Sequence, residues 1–237
     1  MRINQFLAHN LGLSRREVDK YIERGLVEVD GRLAEFFDQV LDQSLIRVYY
    51  KNKWQEIKGD VHKVSIALMY KPIFSVTTRS DPGKRKTIYD FVPKIWSHLK
   101  PAGRLDYMSE GLLVLTSDGE LIQKITHARH TTQKIYLVGL KTPLSIKALK
   151  DFKIGIELED YQLNSVIVNK YSDNIYEYLK PEKNYFWYYF VLTEGRNNQI
   201  RKMCALYGCQ VNRLIRVEHG EFKLSPELYK ERFLTIL

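Results

Sequence analysis

Apolar residues at the start of the chain recur at helical spacing. Ile3, Phe6 and Leu7 share one helix face, and Leu11-Gly12-Leu13 breaks the pattern. Ser14 is placed to cap a second helix, with Glu17 three residues on completing a capping box. That helix sets Val18, Tyr21 and Ile22 on an apolar side, leaves Arg15, Arg16, Lys20 and Arg24 for the other, and stops at Gly25. The period then changes to two. Leu26–Leu33 alternates about an Asp30-Gly31 turn, a hairpin signal, and Leu45–Tyr50 reads as a further strand. Residues 1–60 are therefore expected to form a small helix-plus-sheet module. The polar stretch Trp54–His62, with Gly59, is the expected join to a second domain at 61–237.

Beyond the join strand-like runs dominate: Val64–Met69, Ile73–Thr78, Leu112–Thr116, Lys134–Val138, Ile156–Leu158, Ser165–Val168, Tyr185–Leu192 and Val211–Val217. Helices are expected over Glu120–Thr126 and Asn198–Tyr207, and Ser80–Lys86 reads as a turn followed by a basic cluster. Many strands with few, scattered helices predict an α+β fold with a mixed, mostly antiparallel sheet. Regular βα alternation and a G-x-G-x-x-G loop are both missing, which argues against a Rossmann unit.

Composition adds three points. Hydrophobic residues make up 44% of the 237, enough for a packed core. Neither a signal-peptide run at the start nor an 18-residue apolar stretch occurs, so a soluble cytoplasmic protein without membrane association is expected. The two cysteines, Cys204 and Cys209, have C-x4-C spacing unlike a zinc knuckle, even with His219 nearby, and read as buried thiols with no metal.

Charge is more informative. Thirty-seven Lys and Arg stand against 28 Asp and Glu, a net +9 that favours a polyanionic partner. The surplus is concentrated. Arg15, Arg16, Lys20 and Arg24 lie within ten positions, while Arg196, Arg201, Lys202, Arg213 and Arg216 cluster near the end. Long cations on rigid elements suit phosphate recognition, although a solvated helix face would look the same. DNA remains open as a partner, because phosphate ligands do not read the 2′-hydroxyl.

One segment invites chemistry. Gly103-Arg104-Leu105-Asp106-Tyr107-Met108-Ser109-Glu110 is a charged loop running into the apolar strand Gly111–Thr116. By position alone Asp106 suits a loop-capping carboxylate, the commoner use of such a residue, as well as a catalytic one. Tyr136 likewise suits a sheet-face tyrosine.

The front module resembles the alpha-L RNA-binding domain, from Arg2–Leu7 through Ser14–Val18 to Gly25–Gly31. Gln43 and Ser44 stand where that family usually has Gly-Asp. The remainder resembles the pseudouridine synthases of ribosomal RNA. Their G-R-L-D, S, G-L-L, L-T and D-G signature is met by Gly103–Asp106, Ser109, Gly111–Leu113, Leu115-Thr116 and Asp118-Gly119. Lys134-Ile135-Tyr136 resembles the family's lysine–x–tyrosine strand. Glu194–Met203 resembles its E-G-R, N, Q-I-R, M segment, and Lys71-Pro72 with Thr78 its opening strand. The departures are Phe74 for a usual glycine, Met108 for a common acidic residue and Lys202 for an arginine, which keeps charge but loses the planar fork. They bear on the pocket rim.

The resemblance implies an isomerase that turns a uridine of structured RNA into pseudouridine, in ribosomal RNA or a ribosomal assembly intermediate, as a monomer and without a cofactor. Asp106 is implied as the catalytic carboxylate, acting on the sugar carbon or on a sugar proton. Arg201 is implied as the cation keeping Asp106 ionised, and Tyr136 as a ring against the flipped uracil. Arg104 is expected on the RNA backbone, alongside Arg15, Arg16, Lys20, Arg24, Arg196, Lys202, Arg213 and Arg216. The Arg79-Ser80-Asp81-Pro82 stretch leans towards the large-subunit branch, with small-subunit or transfer RNA as alternatives. An inactive RNA-binding or ribosome-assembly factor is the competing reading.

Overall fold

The computed structural model describes residues 2–11, 13–41, 43–58, 66–93, 96–127, 131–158, 161–172 and 175–236. Two compact units emerge, residues 1–63 and 64–237. Gly12, Gly59–His62 and Val64-Ser65 of the expected elements lie outside the described residues.

In the first unit, helices α1 (Ile3–Leu11) and α2 (Arg15–Glu23) accompany an antiparallel sheet ordered β2-β1-β3-β4. Its strands are β1 (Val27–Val29), β2 (Arg32–Leu33), β3 (Leu45–Tyr50) and β4 (Lys53–Lys58). Ile3, Phe6, Leu7, Val18 and Ile22 from the helices and Val27, Val29, Ile46 and Val48 from the sheet form its core. The capping box is present: Glu17 N donates to Ser14 Oγ (3.2 Å) and Ser14 N to Glu17 Oε2 (2.7 Å). Asp30 (φ 50°) and Gly31 (φ 84°) turn the expected hairpin. The expected join is corrected in part. Trp54–Lys58 is not linker but strand β4, whose polar residues sit on an exposed edge.

The second unit is built on one sheet ordered β11-β12-β8-β13-β7-β5-β15. In chain order its main strands are β5 (Ile66–Lys71), β6 (Lys100–Pro101), β7 (Glu110–Thr116), β8 (Lys134–Leu140), β9 (Glu157–Leu158) and β10 (Tyr161–Gln162). Then come β11 (Ile167–Lys170), β12 (Phe186–Leu192), β13 (Val211–His219), β14 (Phe222–Lys223) and β15 (Phe233–Ile236). Helices α3 (Gly119–Thr126), α4 (Ile146–Ile154), α5 (Gln199–Leu206) and α6 (Pro226–Glu231) connect them. All described ladders are antiparallel except β13–β7. The fold is α+β with a mixed, mostly antiparallel sheet. Ile73–Thr78 is not the expected strand. Pro72 cannot extend the ladder, Ser75 Oγ folds back onto the Pro72 carbonyl (2.8 Å), and only a Val76–Thr87 bridge forms.

Alternation along the strands sorts the side chains. Leu68, Tyr70, Leu112 and Val114 point into one core, and Ala67, Met69, Leu113 and Leu115 into another on the opposite face. That second face also carries a cluster with Val138, Phe190 and Leu214, under α4 and α5. Cys204 and Cys209 are buried free thiols there. None of the described helices is long and apolar enough to cross a membrane.

Candidate active site

The single parallel pairing organises the site. Register places Tyr136 (β8), Arg216 (β13), Gly111 (β7) and Lys71 (β5) side by side in one cross-strand row. Residues opposite one another point to the same face, so this polar row separates the two apolar clusters of that face. A cleft of about 870 Å³ opens over it. Asp106, Tyr136, Arg104, Arg196, Arg216, Lys134 and Ser109 are among the residues lining it.

Asp106 sits on the loop entering β7, half-buried. Backbone contacts fix that loop tightly. Thr77 Oγ1 donates to the Leu105 carbonyl (2.8 Å) and accepts from Leu105 N (3.2 Å). Fully buried Lys71 donates its Nζ to the carbonyls of Asp106 (3.2 Å), Ser109 (2.8 Å) and Pro72 (3.0 Å). Burial pushes the Lys71 ammonium down to about 8, and the Asp106 and Glu110 carboxylates work against that shift. The Asp106 carboxylate itself accepts no hydrogen bond among the described residues. It caps nothing, and is open to the cleft.

Lys71 was not singled out for a role from the sequence, although it stands in the Lys71-Pro72 motif. Replacing it with Met leaves three carbonyls without their shared donor. The expected loss is about 1–3 kcal/mol of stability, read as a lowered urea midpoint.

Arg201 relates to Asp106 less directly than expected. Its Nη1 donates to the Val211 carbonyl and its Nη2 to the Met108 carbonyl, both at 2.8 Å. Burial disfavours its charge, and the Asp106 carboxylate is the chief group supporting it. The pair therefore interacts through space, and Arg201 braces the loop two residues past Asp106.

The other cations divide. Arg104 and Arg196 are exposed on the cleft rim, with Arg196 stacked on Tyr161 at 5.1 Å. Glu194 and Gln199 hold that rim: Gln199 Nε2 donates to Glu194 Oε1 (3.1 Å), and Gln199 Oε1 accepts from Arg196 N (3.0 Å). Arg216 is 1% exposed in the cleft floor, donating to the carbonyls of Leu112 (2.8 Å) and Arg104 (3.3 Å), with Nη2 unpartnered. It is thus not the surface cation expected. Arg213 departs further. Its guanidinium pairs with Glu110 (2.7 Å) and the Leu179 and Lys180 carbonyls, while Tyr70 donates to the other Glu110 oxygen (2.5 Å). A guanidinium committed in this way ties strands together and is not available to phosphate. Lys202 is half-buried on α5 and does not line the cleft. In the first unit Arg15, Arg16, Lys20 and Arg24 are all exposed, and Arg16, Lys20 and Arg24 recur every fourth residue, along one stripe.

His219 is fully buried beside the cleft, its Nε2 against the Ile125 carbonyl (3.0 Å). Burial, then the Arg216 charge, push its imidazole down to about 3, with Lys134 adding to the shift. The unfolded chain, titrating near 6.5, binds a proton there that the folded chain refuses. Stability is expected to fall as pH drops from about 6.5 towards 3, by at most about 1.4 kcal/mol per pH unit from this group. His219→Gln should flatten the urea midpoint over that window.

The departures from the family glycines have a backbone signature. Phe74 (φ 60°) and Gln43 (φ 73°) both hold left-handed conformations, so the backbone keeps the geometry a glycine would adopt.

The RNA pseudouridylate synthase family matches residues 65–206, a span holding Asp106, Tyr136 and Arg201. Ribosomal large subunit pseudouridine synthase B of Yersinia pestis is 32% identical over 229 residues, covering 96% of this chain and 70% of its own. The protein of the same name from Escherichia coli (strain K12) is 33% identical over 217 residues, covering 91% and 72%. A crystal structure of a pseudouridylate synthase matches with TM-score 0.65 at 25% identity, covering 100% of this chain and 96% of that one. This chain belongs to the RNA pseudouridylate synthase family.

Proposed function

We propose that the protein isomerises a uridine of large-subunit ribosomal RNA to pseudouridine, with Asp106 as the reacting carboxylate. The observation carrying this reading is the Asp106 carboxylate itself, half-buried in a cleft shared with Tyr136 and accepting no hydrogen bond among the described residues. The reaction breaks the C1′–N1 bond, turns the uracil and joins C5 to C1′; the proton leaves C5 and N1 gains one, so no atom is added. A carboxylate serves as nucleophile at C1′ or as base towards a sugar proton. Lys71 and Arg201 are the cations electrostatically coupled to it. Tyr136, whose hydroxyl makes no hydrogen bond among the described residues, offers its ring to the uracil.

Arg104 and Arg196, exposed at the rim, suit the phosphates of a nucleotide entering the cleft. Residues 1–60 are proposed as an alpha-L type module that brings structured RNA to residues 61–237 through the exposed Arg15, Arg16, Lys20 and Arg24. Large-subunit RNA is favoured because the relatives described above carry it in their names. An enzyme on such RNA would act in the cytoplasm, as a monomer.

Tritium release from transcripts labelled at uridine C5 tests the reading. Release from large-subunit RNA but not from small-subunit RNA is expected. No release from ribosomal RNA, naked or in assembly intermediates, would remove it.

A further inference from the structure

Phe74 combines two costs that folding does not repay. A β-carbon at φ 60° is strained, by about 1 kcal/mol or more. The residue is nonetheless 50% exposed and outside the buried core, so hydrophobic burial recovers only part of that cost. A residue kept under strain with its ring in water points to a use outside the fold.

Its surroundings indicate the use. Phe74 N donates to the Tyr107 carbonyl (2.8 Å), and Tyr107 directly follows Asp106. The two rings meet edge to face at 5.7 Å and 61°, an arrangement that leaves a ring face uncovered. Arg85 lies 5.6 Å over Tyr107 and is fixed there by Asp81, through Nε (2.9 Å) and Nη2 (2.6 Å). Exposed Ile73 and Met108 extend the apolar patch, and Lys84 and Lys86 flank Arg85. Tyr107 and Phe74 do not line the cleft holding Asp106, but Tyr107 is the chain neighbour of Asp106 and Phe74 is hydrogen-bonded to Tyr107. Aromatic rings next to fixed cations are the surface on which nucleic-acid bases stack.

We infer that Phe74, backed by Tyr107 and Arg85, is a stacking platform for the base next to the target uridine. It would hold the strand once the uridine has left its stack, and so contribute to which sequence is modified. This rests on the proposed uridine chemistry. Flipping a nucleotide out costs its stacking energy, and an aromatic ring against the neighbouring base offsets part of that cost.

The test uses full-length Asp106→Asn protein, which binds without turnover, and single-stranded RNAs carrying one uridine with 2-aminopurine on its 5′ or its 3′ side. Quenching of the fluorophore on one side is expected. Phe74→Leu, which keeps apolar bulk, and Phe74→Ala should both abolish it, while Phe74→Trp restores it. In the Asp106 background Phe74→Ala should lower kcat/KM about 5- to 150-fold, the range of one base–aromatic stack. That loss should vanish on RNA with an abasic nucleotide at the same position. Unchanged quenching in Phe74→Ala and Phe74→Leu overturns the inference, as does no quenching on either side with Phe74 present. Self-association that depends on Phe74, without quenching, would assign the patch to a second copy of the chain and also overturn it. Tritium release separates the two readings: its failure on all RNAs removes the proposed reaction, whereas quenching reports on Phe74 alone.

Discussion

Asp106→Asn is expected to lower pseudouridine formation by at least about 10³-fold, the order of loss when a reacting group is removed, while the melting temperature stays within about 2 °C. The two halves of this result come from one geometric fact. The carboxylate accepts no hydrogen bond among the described residues, so its replacement by an amide breaks none; the fold loses only its through-space support of Lys71 and Arg201. The loop is held through its backbone instead, by Lys71 on the Asp106 and Ser109 carbonyls, Thr77 on Leu105 and Arg201 on Met108. The same rigidity makes the site intolerant of reach. Asp106→Glu keeps the charge but moves it by one methylene, and a misplacement of about 1 Å is worth about 10²-fold in rate. Measured rates for the two variants, with their melting curves, check both halves. A carboxylate serving only to cap the loop would give the opposite pattern, with stability lost and activity reduced in proportion.

Gly111→Ala is expected to cost about 3–5 kcal/mol, combining backbone strain with overpacking, enough to unfold much of the protein at physiological temperature. Gly111 has φ 107°, and an added β-carbon would lie 2.4 Å from the Arg216 carbonyl oxygen and 2.8 Å from its nitrogen. Neither atom can yield, because both belong to the backbone of β13 where it pairs with β7. The glycine is what lets the parallel junction close and brings Arg216 into one row with Lys71 across it. Denaturant unfolding of the variant reads the cost. A loss under about 1 kcal/mol would mean that the two strands are not held this close.

Much of this was legible in the sequence because it is local. The capping box at Ser14, the Asp30-Gly31 turn and the apolar runs of β5, β7, β8, β12 and β13 are short-range patterns. What failed depends on pairing between distant segments. Strand β15 joins β5 through a partnership that no local window contains. Helix α4 has its Ser145 cap and Gly155 stop, but buries only Ala148 and Phe152, too narrow a stripe to show a period. Ile73–Thr78 has strand composition, yet Pro72 and the carbonyls gathered by Lys71 bend it away.

The site divides in the same way. Asp106 and Tyr136 stood in contiguous motifs, and one cleft holds both. The row through Tyr136, Arg216, Gly111 and Lys71 exists only once β13 lies against β7. Counting charge along the chain ranked Arg213 and Arg216 with the surface cations, because a charge count carries no information on burial. Glu110, which takes up Arg213 and Tyr70, was hidden as an unassigned position inside the motif. The departures from family glycine said more than expected: Phe74 and Gln43 mark backbone that stays left-handed without glycine.

The proposed role of Asp106 in uridine isomerisation on ribosomal RNA can be tested in cells. The most direct measurement maps pseudouridine in ribosomal and transfer RNA from cells lacking this protein, complemented with the wild-type chain or with Asp106→Asn expressed at equal level. At least one position in large-subunit RNA should lose its pseudouridine in the deletion, regain it with the wild type and remain uridine with Asp106→Asn. Restoration of that position by Asp106→Asn would rule out Asp106 as the reacting carboxylate.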